Sequence, residues 1–239
     1  MKKRVLLASG LIALTMMVSS CGGGAKPDVA KNTPAATKPG GKPGAKPAPP
    51  KEATKVLKPG EKPPAAATKA IPEGKKVAVP DNWQVVYDQD RGYEFQVPEG
   101  TLSDWQTLDN GTDVYVATFA KPVEVSTIVV AYKDSTEDKD GLMKQAKTFL
   151  EALGEKDVKL SDTKEDLNED YFLVQFTSKD NKGVSTQGKI LFAVDKTDNF
   201  LMVVASPEAE FKANEKVIDE VWSSFAMYSG GLSGNSENQ

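Results

Sequence analysis

The 239-residue chain contains no histidine and a single cysteine, Cys21. Without imidazole, Ser-His-Asp and Cys-His catalysis are excluded, as are zinc sites built from imidazole or several thiolates. One cysteine cannot form a disulfide within the chain. The GxxxxGK[ST] and GxGxxG loops that cradle phosphates are also missing. We therefore predict no catalytic residue, no metal site and no cofactor, and we expect that the protein is not an enzyme.

A second absence is an apolar run long enough to cross a bilayer, which takes roughly 20 residues. Residues 5–18 carry no charge, but the run is shorter than that, follows Lys2, Lys3 and Arg4, and leads into small residues. A basic start, a short apolar stretch and small residues are typical of an export signal that is removed. We predict a signal peptide over residues 1–20.

The lone cysteine lies directly after this signal. Val18-Ser19-Ser20-Cys21 resembles the lipobox of bacterial lipoproteins. The resemblance implies cleavage between Ser20 and Cys21 and a diacylglyceryl group on the Cys21 sulfur, which would anchor the chain to a membrane of a bacterial cell envelope. Gly22, in place of aspartate, resembles lipoproteins of the outer membrane where the host has two membranes. The alternative is an ordinary secretory signal with an incidental cysteine.

Aromatic residues are missing from residues 22–80, which hold 12 of the 15 prolines. With little apolar surface to bury, this stretch cannot offset its ordering entropy. We predict a disordered Pro/Lys/Ala-rich tether over residues 21–80.

Charge divides at the end of the predicted tether. Residues 22–80 carry 12 lysines and 4 acids, a net of +8, while residues 81–239 carry 15 basic and 30 acidic residues, a net of −15. The tether lysines could contact anionic lipid or wall polymers, or they could merely keep the tether soluble and extended. Export and an acidic folded part argue against nucleic acid as a partner.

Residues 81–228 have the composition of a single folded domain, followed by a flexible tail over residues 229–239. β-Branched and aromatic runs between short polar turns predict strands at 84–88, 93–98, 113–119, 125–132, 170–178, 188–195 and 200–206. Segments 140–154 and 207–225 each carry one apolar stripe at helical spacing. Gly154 suits the end of the first helix, and Ser206 as N-cap with Pro207 at the first helical position suits the start of the second. We expect an antiparallel sheet with both helices packed on it.

"YDQDRGYEFQVPEG" at residues 87–100 and a closing "VWSSF" at 221–225 resemble the PsbP-like family and the related Ran-binding Mog proteins. The family usually has a tryptophan soon after this proline. Here Trp105 lies seven residues beyond Pro98, which is a modest departure from that pattern. The resemblance implies an α+β fold, an α-β-α sandwich around an antiparallel sheet. It also implies a non-enzymatic binding or assembly domain whose ligand, a protein or a small molecule, is unknown.

Two acidic stretches keep other functions open. Residues 134–141 resemble a calcium loop only superficially, because Lys147 takes the place of the final glutamate when Gly141 is aligned with the loop glycine. The acids in the two stretches are Asp134, Glu137, Asp138 and Asp140, and Glu165, Asp166, Glu169 and Asp170. The alternatives are therefore a carboxylate-dependent envelope hydrolase and a calcium-dependent binding module, although the simpler explanation is solvated acidic connections.

Overall fold

The computed structural model describes residues 54–64, 67, 69–108, 111–120, 122–133, 135, 137–195 and 198–228. The predicted signal peptide, Ser20, Cys21, the predicted tether up to residue 53 and the tail 229–239 lie outside these residues. No helix in the described part of the chain is long and apolar enough to span a membrane.

The described chain contains two helices, twelve strands and a short 3-10 helix at Glu73–Lys75. The strands are β1 (Thr54–Leu57), β2 (Lys69–Ala70), β3 (Gln84–Asp88), β4 (Tyr93–Val97), β5 (Leu102–Thr107), β6 (Asp113–Thr118), β7 (Ser126–Lys133), β8 (Lys156–Asp166), β9 (Tyr171–Lys179), β10 (Ser185–Val194), β11 (Asp198–Pro207) and β12 (Ala226–Met227). The helices are α1 (Lys139–Ala152) and α2 (Glu208–Ser223).

Seven strands form the larger sheet, in the order β5-β6-β7-β11-β10-β9-β8, and every neighbouring pair is antiparallel. Alternate residues of its central strands point to opposite faces. Ile190 and Phe192 pack with α1, whereas Leu191 and Ala193 pack with α2. The predicted α+β sandwich around an antiparallel sheet is therefore confirmed.

A smaller five-stranded sheet, in the order β1-β3-β4-β12-β2, joins α2 over the second face of the larger sheet. Its members come from both ends of the described chain, because β1 pairs with β3 and β2 pairs with β12. Phe95 of β4 and Trp222 of α2 belong to the same buried cluster as Leu191 and Phe200 of the larger sheet.

Described residues between Thr54 and Pro80 belong to the folded domain, so the predicted boundary at residue 81, with disorder up to residue 80, is wrong. Residues 54–57 and 69–70 pair in the smaller sheet, and Ile71 is only 1% exposed. The composition of a segment shows only how much apolar surface the segment itself can bury. Here the missing apolar partners are supplied by residues far along the chain, so a segment poor in apolar residues is nevertheless ordered.

The helices match their predicted ranges closely, with one correction. Gly154, at φ +93°, follows the end of α1 as predicted. Ser206 is not the N-cap of α2 and Pro207 is not its first helical residue: α2 begins at Glu208, Pro207 occupies the N-cap position, and the Ser206 hydroxyl donates to the Pro207 carbonyl oxygen instead.

Two strands of the larger sheet, β5 and β8, were not predicted from the sequence. The stretch 162–170, predicted as a charged connection, contributes residues 162–166 to β8. Both strands lie at sheet edges, where charged and polar side chains face water and the alternation of apolar residues is lost.

Candidate binding groove

A groove of about 880 Å³ lies on the outer face of the smaller sheet. Phe95 of β4 points into the core, so its neighbours Glu94 and Gln96 point the other way, and they form the floor together with Val85 of β3. The groove walls come from residues 60–63 and 73–81. Most of the walls therefore belong to the stretch that the sequence analysis placed in the tether.

Local hydrogen bonds shape both walls. In the first, a turn is closed by the Glu61 N–H donating to the Lys58 carbonyl oxygen at 3.0 Å, while the Lys58 N–H donates to Glu61 Oε2 at 3.1 Å. In the second, the Val77 N–H donates to Ser223 Oγ at 3.1 Å. This bond ties the wall to the C-terminal end of α2, so the groove is held by residues almost 150 positions apart in the chain.

The wall segments are also anchored to the larger sheet. Lys69 Nζ lies 2.6 Å from Asp170 Oδ1 and 3.1 Å from Asp195 Oδ1. Burial alone would lower the pKa of Lys69, but the hydrogen bonds to the two carboxylates outweigh burial and raise it. The Tyr171 hydroxyl adds a bond to the Lys69 carbonyl oxygen at 3.1 Å. Lys69 is therefore held as a cation that fixes β2.

A second anchor joins β1 to the β3–β4 turn. Asp88 is fully buried, and its Oδ2 accepts from Thr54 Oγ1 at 2.6 Å and from Arg91 at 3.1 Å. Trp105 of β5 donates its indole N–H to Thr54 Oγ1 at 2.8 Å, and the Arg91 guanidinium lies 3.7 Å from the centre of the Trp105 ring. Trp105, on a strand of the larger sheet, thus contacts both β1 and the β3–β4 turn of the smaller sheet.

Glu94 has the most distinctive environment on the groove floor. It is half-buried, and the Tyr228 hydroxyl donates a hydrogen bond to its Oε2. Burial raises the pKa of Glu94, and the bond from Tyr228 partly opposes that shift. Burial also raises the pKa of Tyr228, whose ring packs edge-on against Tyr87 at 5.6 Å. Glu94 therefore takes up a proton more readily than a surface glutamate does.

The groove lining is moderately acidic. It includes four carboxylates and two lysines, a formal charge of 2 − 4 = −2; these are Glu61, Glu73, Asp81 and Glu94, with Lys62 and Lys76. Part of this charge is paired internally, since Lys76 Nζ lies 2.6 Å from Glu73 Oε1. Cationic or hydrogen-bond-donating ligands suit such a lining better than anions.

The acids singled out from the sequence lie elsewhere and make structural contacts. Asp138 caps α1 by accepting the Gly141 N–H at 2.8 Å. Asp140 is paired with Lys164, which lowers the pKa of its carboxyl, and Asp166 is paired with Lys139, each at 2.5 Å. Together these pairs join the first turn of α1 to β8.

Two of the remaining acids of these stretches are also paired with lysines. Glu165 lies 2.9 Å from Lys75, and Asp170 is the partner of Lys69. Asp134 lies outside the described residues. No group of three or more acidic, histidine or cysteine side chains is placed to hold a metal ion in the part of the chain that the structure describes.

The groove was not predicted from the sequence, because its wall residues lie in a stretch whose composition resembles the low-complexity tether. One signal was present in the sequence. Apart from alanine, Val29 is the only aliphatic residue in residues 22–53, whereas Val56, Leu57, Ile71, Val77 and Val79 follow within the next 26 residues. This change in aliphatic content coincides with Thr54, where the described part of the chain begins.

No protein-family model matches this chain, and no curated protein matches it. Among solved structures, it is similar to the cyanobacterial PsbP of Synechocystis sp. PCC 6803, with 18% identity over 61% of this chain and 92% of that chain and a TM-score of 0.48. It is also similar to the Saccharomyces cerevisiae Ran-binding protein Mog1p, with 13% identity over 63% of this chain and 98% of that chain and a TM-score of 0.47. At these identities the likeness concerns architecture alone.

Proposed function

We propose that this chain is a lipid-anchored binding protein of a bacterial cell envelope, without enzymatic activity, and that its partner binds in the groove over the smaller sheet. The observation that carries the proposal is the groove itself, a concavity of about 880 Å³. Cavities of this size, with a few convergent polar groups, are typical of binding sites. The polar groups at its floor include Glu94 and Gln96.

The anchor part of the proposal is supported by Val18-Ser19-Ser20-Cys21 at the end of the basic and apolar start of the chain. Metabolic labelling with a fatty-acid analogue tests it. We expect the wild-type chain to take up label and to sediment with membranes, and Cys21→Ala to do neither. A Cys21→Ala chain that still carries label would contradict lipidation at this residue.

The binding part of the proposal is tested by filling the groove. Ala78 is exposed and lines the groove, so Ala78→Trp adds bulk there without disturbing the core. Ala152 is an equally exposed alanine at the end of α1, across the larger sheet, and Ala152→Trp serves as the matched control. With the full chain as bait in envelope extracts, we expect Ala78→Trp to lose the captured partner and Ala152→Trp to keep it. Equal capture by both variants would place the binding site elsewhere.

A carboxylate-dependent hydrolase is the second candidate, and the environment of Glu94 favours it. A half-buried carboxyl with a raised pKa is suited to act as a general acid. If hydrolysis of envelope glycans or esters were detected with the full chain, Glu94→Gln should abolish it. Activity that is unchanged in Glu94→Gln would exclude this site as its source.

A further inference from the structure

The groove is lined in part by the turn that follows β1, and a strongly basic piece of the same chain precedes β1. Residues 22–53 contain six lysines and two acids, a net of +4, and they join the domain at Thr54. Within them, residues 38–51 carry Lys38, Lys42, Lys46 and Lys51, five prolines and no acid. We propose that residues 38–51 bind in the groove of their own chain through contacts between these lysines and the groove carboxylates.

Charge complementarity is the first support. The groove lining has a formal charge of −2, with Glu61, Glu73 and Asp81 exposed to solvent. Lysines attract such carboxylates only weakly at a surface, by about 0.2–1 kcal/mol per pair. Several pairs acting together along one segment are therefore needed, and residues 38–51 offer four lysines.

Reach is the second support. β1 ends at Leu57, and the turn that follows it already lines the groove at Gly60 and Glu61. The four residues of β1 span on the order of 10 Å. Only residues 52 and 53 separate Lys51 from Thr54. Three extended residue steps span about 10 Å, so Lys51 can lie beside β1 near the groove and residues 38–50 can continue over it.

Covalent connection makes weak contacts sufficient. A segment held by a short linker acts at an effective concentration in the millimolar range. An intrinsic dissociation constant in the same range is therefore enough for the segment to occupy the groove in a large fraction of the molecules. Proline-rich peptides also favour an extended polyproline conformation, which lowers the ordering entropy of binding.

This inference deepens the proposed function, because it rests on the same groove and adds a partner that competes with any external one. An external partner must displace the lysine segment, or the lysines must first be drawn away by an anionic surface. In both cases, the position of the lysine segment decides whether the groove is open to an external partner.

Carbodiimide cross-linking of the full chain in detergent tests the inference, because it joins lysines to carboxylates in direct contact. At about 10 mM salt, where the screening length is about 30 Å, we expect cross-links from residues 38–51 to Glu61, Glu73 and Asp81. Links to the equally exposed Glu151 and Asp162, which lie outside the groove, should be several-fold weaker. Raising the salt to about 1 M, where the screening length is about 3 Å, should remove the preference.

Two controls fix the interpretation. Ala78→Trp should reduce the groove cross-links, while Ala152→Trp should leave them unchanged. Mixing isotope-labelled and unlabelled chains separates contacts within one chain from contacts between copies. Cross-links that are spread evenly over Glu151, Asp162 and the groove carboxylates, or that join two copies, would overturn the inference.

The two proposals fail separately. If Ala78→Trp abolishes capture of an external partner but residues 38–51 give no preferred cross-link to the groove, the proposed function stands and the self-binding inference falls. If the cross-links are found and capture of the external partner is unaffected by Ala78→Trp, the groove serves the chain's own segment and the external partner binds elsewhere.

Discussion

The two sheets of the domain are built in different ways. The larger sheet holds strands of 8 to 11 residues from β7 to β11, with apolar side chains packed on both of its faces. The smaller sheet contains strands of two to five residues, three of which come from the two ends of the described chain. Its edges depend on polar links such as Thr54–Asp88 and Lys69–Asp170.

This difference separates the main source of stability from the candidate site. The larger sheet contributes more buried apolar side chains than the smaller sheet does, and apolar burial is the dominant favourable term in folding. The smaller sheet supplies the groove, and its outer strands are held by a few polar contacts whose loss would open that site. We therefore expect substitutions in the larger sheet to unfold the domain, and substitutions in the links of the smaller sheet to loosen the groove first.

The largest expected effect is that of Phe192→Ala in β10. Phe192 is fully buried and its ring stacks on Phe172 at 4.3 Å between centroids. Truncation of such a side chain destabilises by about 3–5 kcal/mol. Val56→Ala in β1 is the control from the smaller sheet, because Val56 is 45% exposed and should change stability by less than about 0.5 kcal/mol. Chemical denaturation of both variants measures the two losses of stability. Equal losses would contradict the expectation that the larger sheet contributes more to stability than the smaller one.

Asp88→Asn should have the next largest effect, and a more local one. The substitution removes the charge that Arg91 and Thr54 share. A fully buried pair broken in this way costs about 3–5 kcal/mol. We expect about 2 kcal/mol here, because water reaches Arg91, whose side chain is 14% exposed. Limited proteolysis should show faster cleavage within residues 54–64, while the exposed Asp162→Asn should leave the cleavage pattern unchanged.

A smaller effect is expected from pH at Glu155, next to the β8–β9 edge of the larger sheet. Glu155 is 5% exposed; burial raises its pKa, the nearby charge of Asp180 raises it further, and the hydrogen bond from Ser178 at 2.5 Å opposes both. Because the folded-state pKa lies above the ordinary value of 4.5, the folded state binds the extra proton. The contribution of Glu155 to the free energy of unfolding is fully present below pH 4.5 and is lost as the pH rises through the folded-state pKa.

Thermal melting of wild type and Glu155→Gln across pH 4–8 checks this sign. We expect the wild type to lose stability, relative to the variant, as the pH rises. A difference between the two chains that stays constant over the whole range would mean that Glu155 does not titrate differently on folding.

The contrast between the sheets also explains how much could be predicted from the sequence. β3, at Gln84–Asp88, and both helices follow from apolar periodicity within a single segment, which is a local property. β8 escaped prediction because, as a charged edge strand, it carries only two apolar residues, Val158 and Leu160, among polar ones. β1 and β2 escaped because they become strands only by pairing with β3 and β12, at separations that no local pattern encodes.

The candidate site was harder to predict for the same reason. Its floor lies on strands that were predicted, at Val85 and Gln96, but its walls at residues 60–63 and 73–81 were assigned to the tether. The acids that did attract notice, such as Asp140 and Asp166, pair with lysines and hold α1 to β8. Carboxylate density alone did not distinguish an ion pair from a ligand site.

The central claim is that residues 54–80 are part of the domain and form the walls of its groove. Amide hydrogen exchange of the full chain tests that claim most directly, because backbone amides in paired strands exchange only when the strands open. We predict protection of amides within residues 54–57 and 69–70, at levels between those of β4 and of unstructured chain. Exchange of these amides at the unprotected rate, with β4 and β10 still protected, would contradict the account.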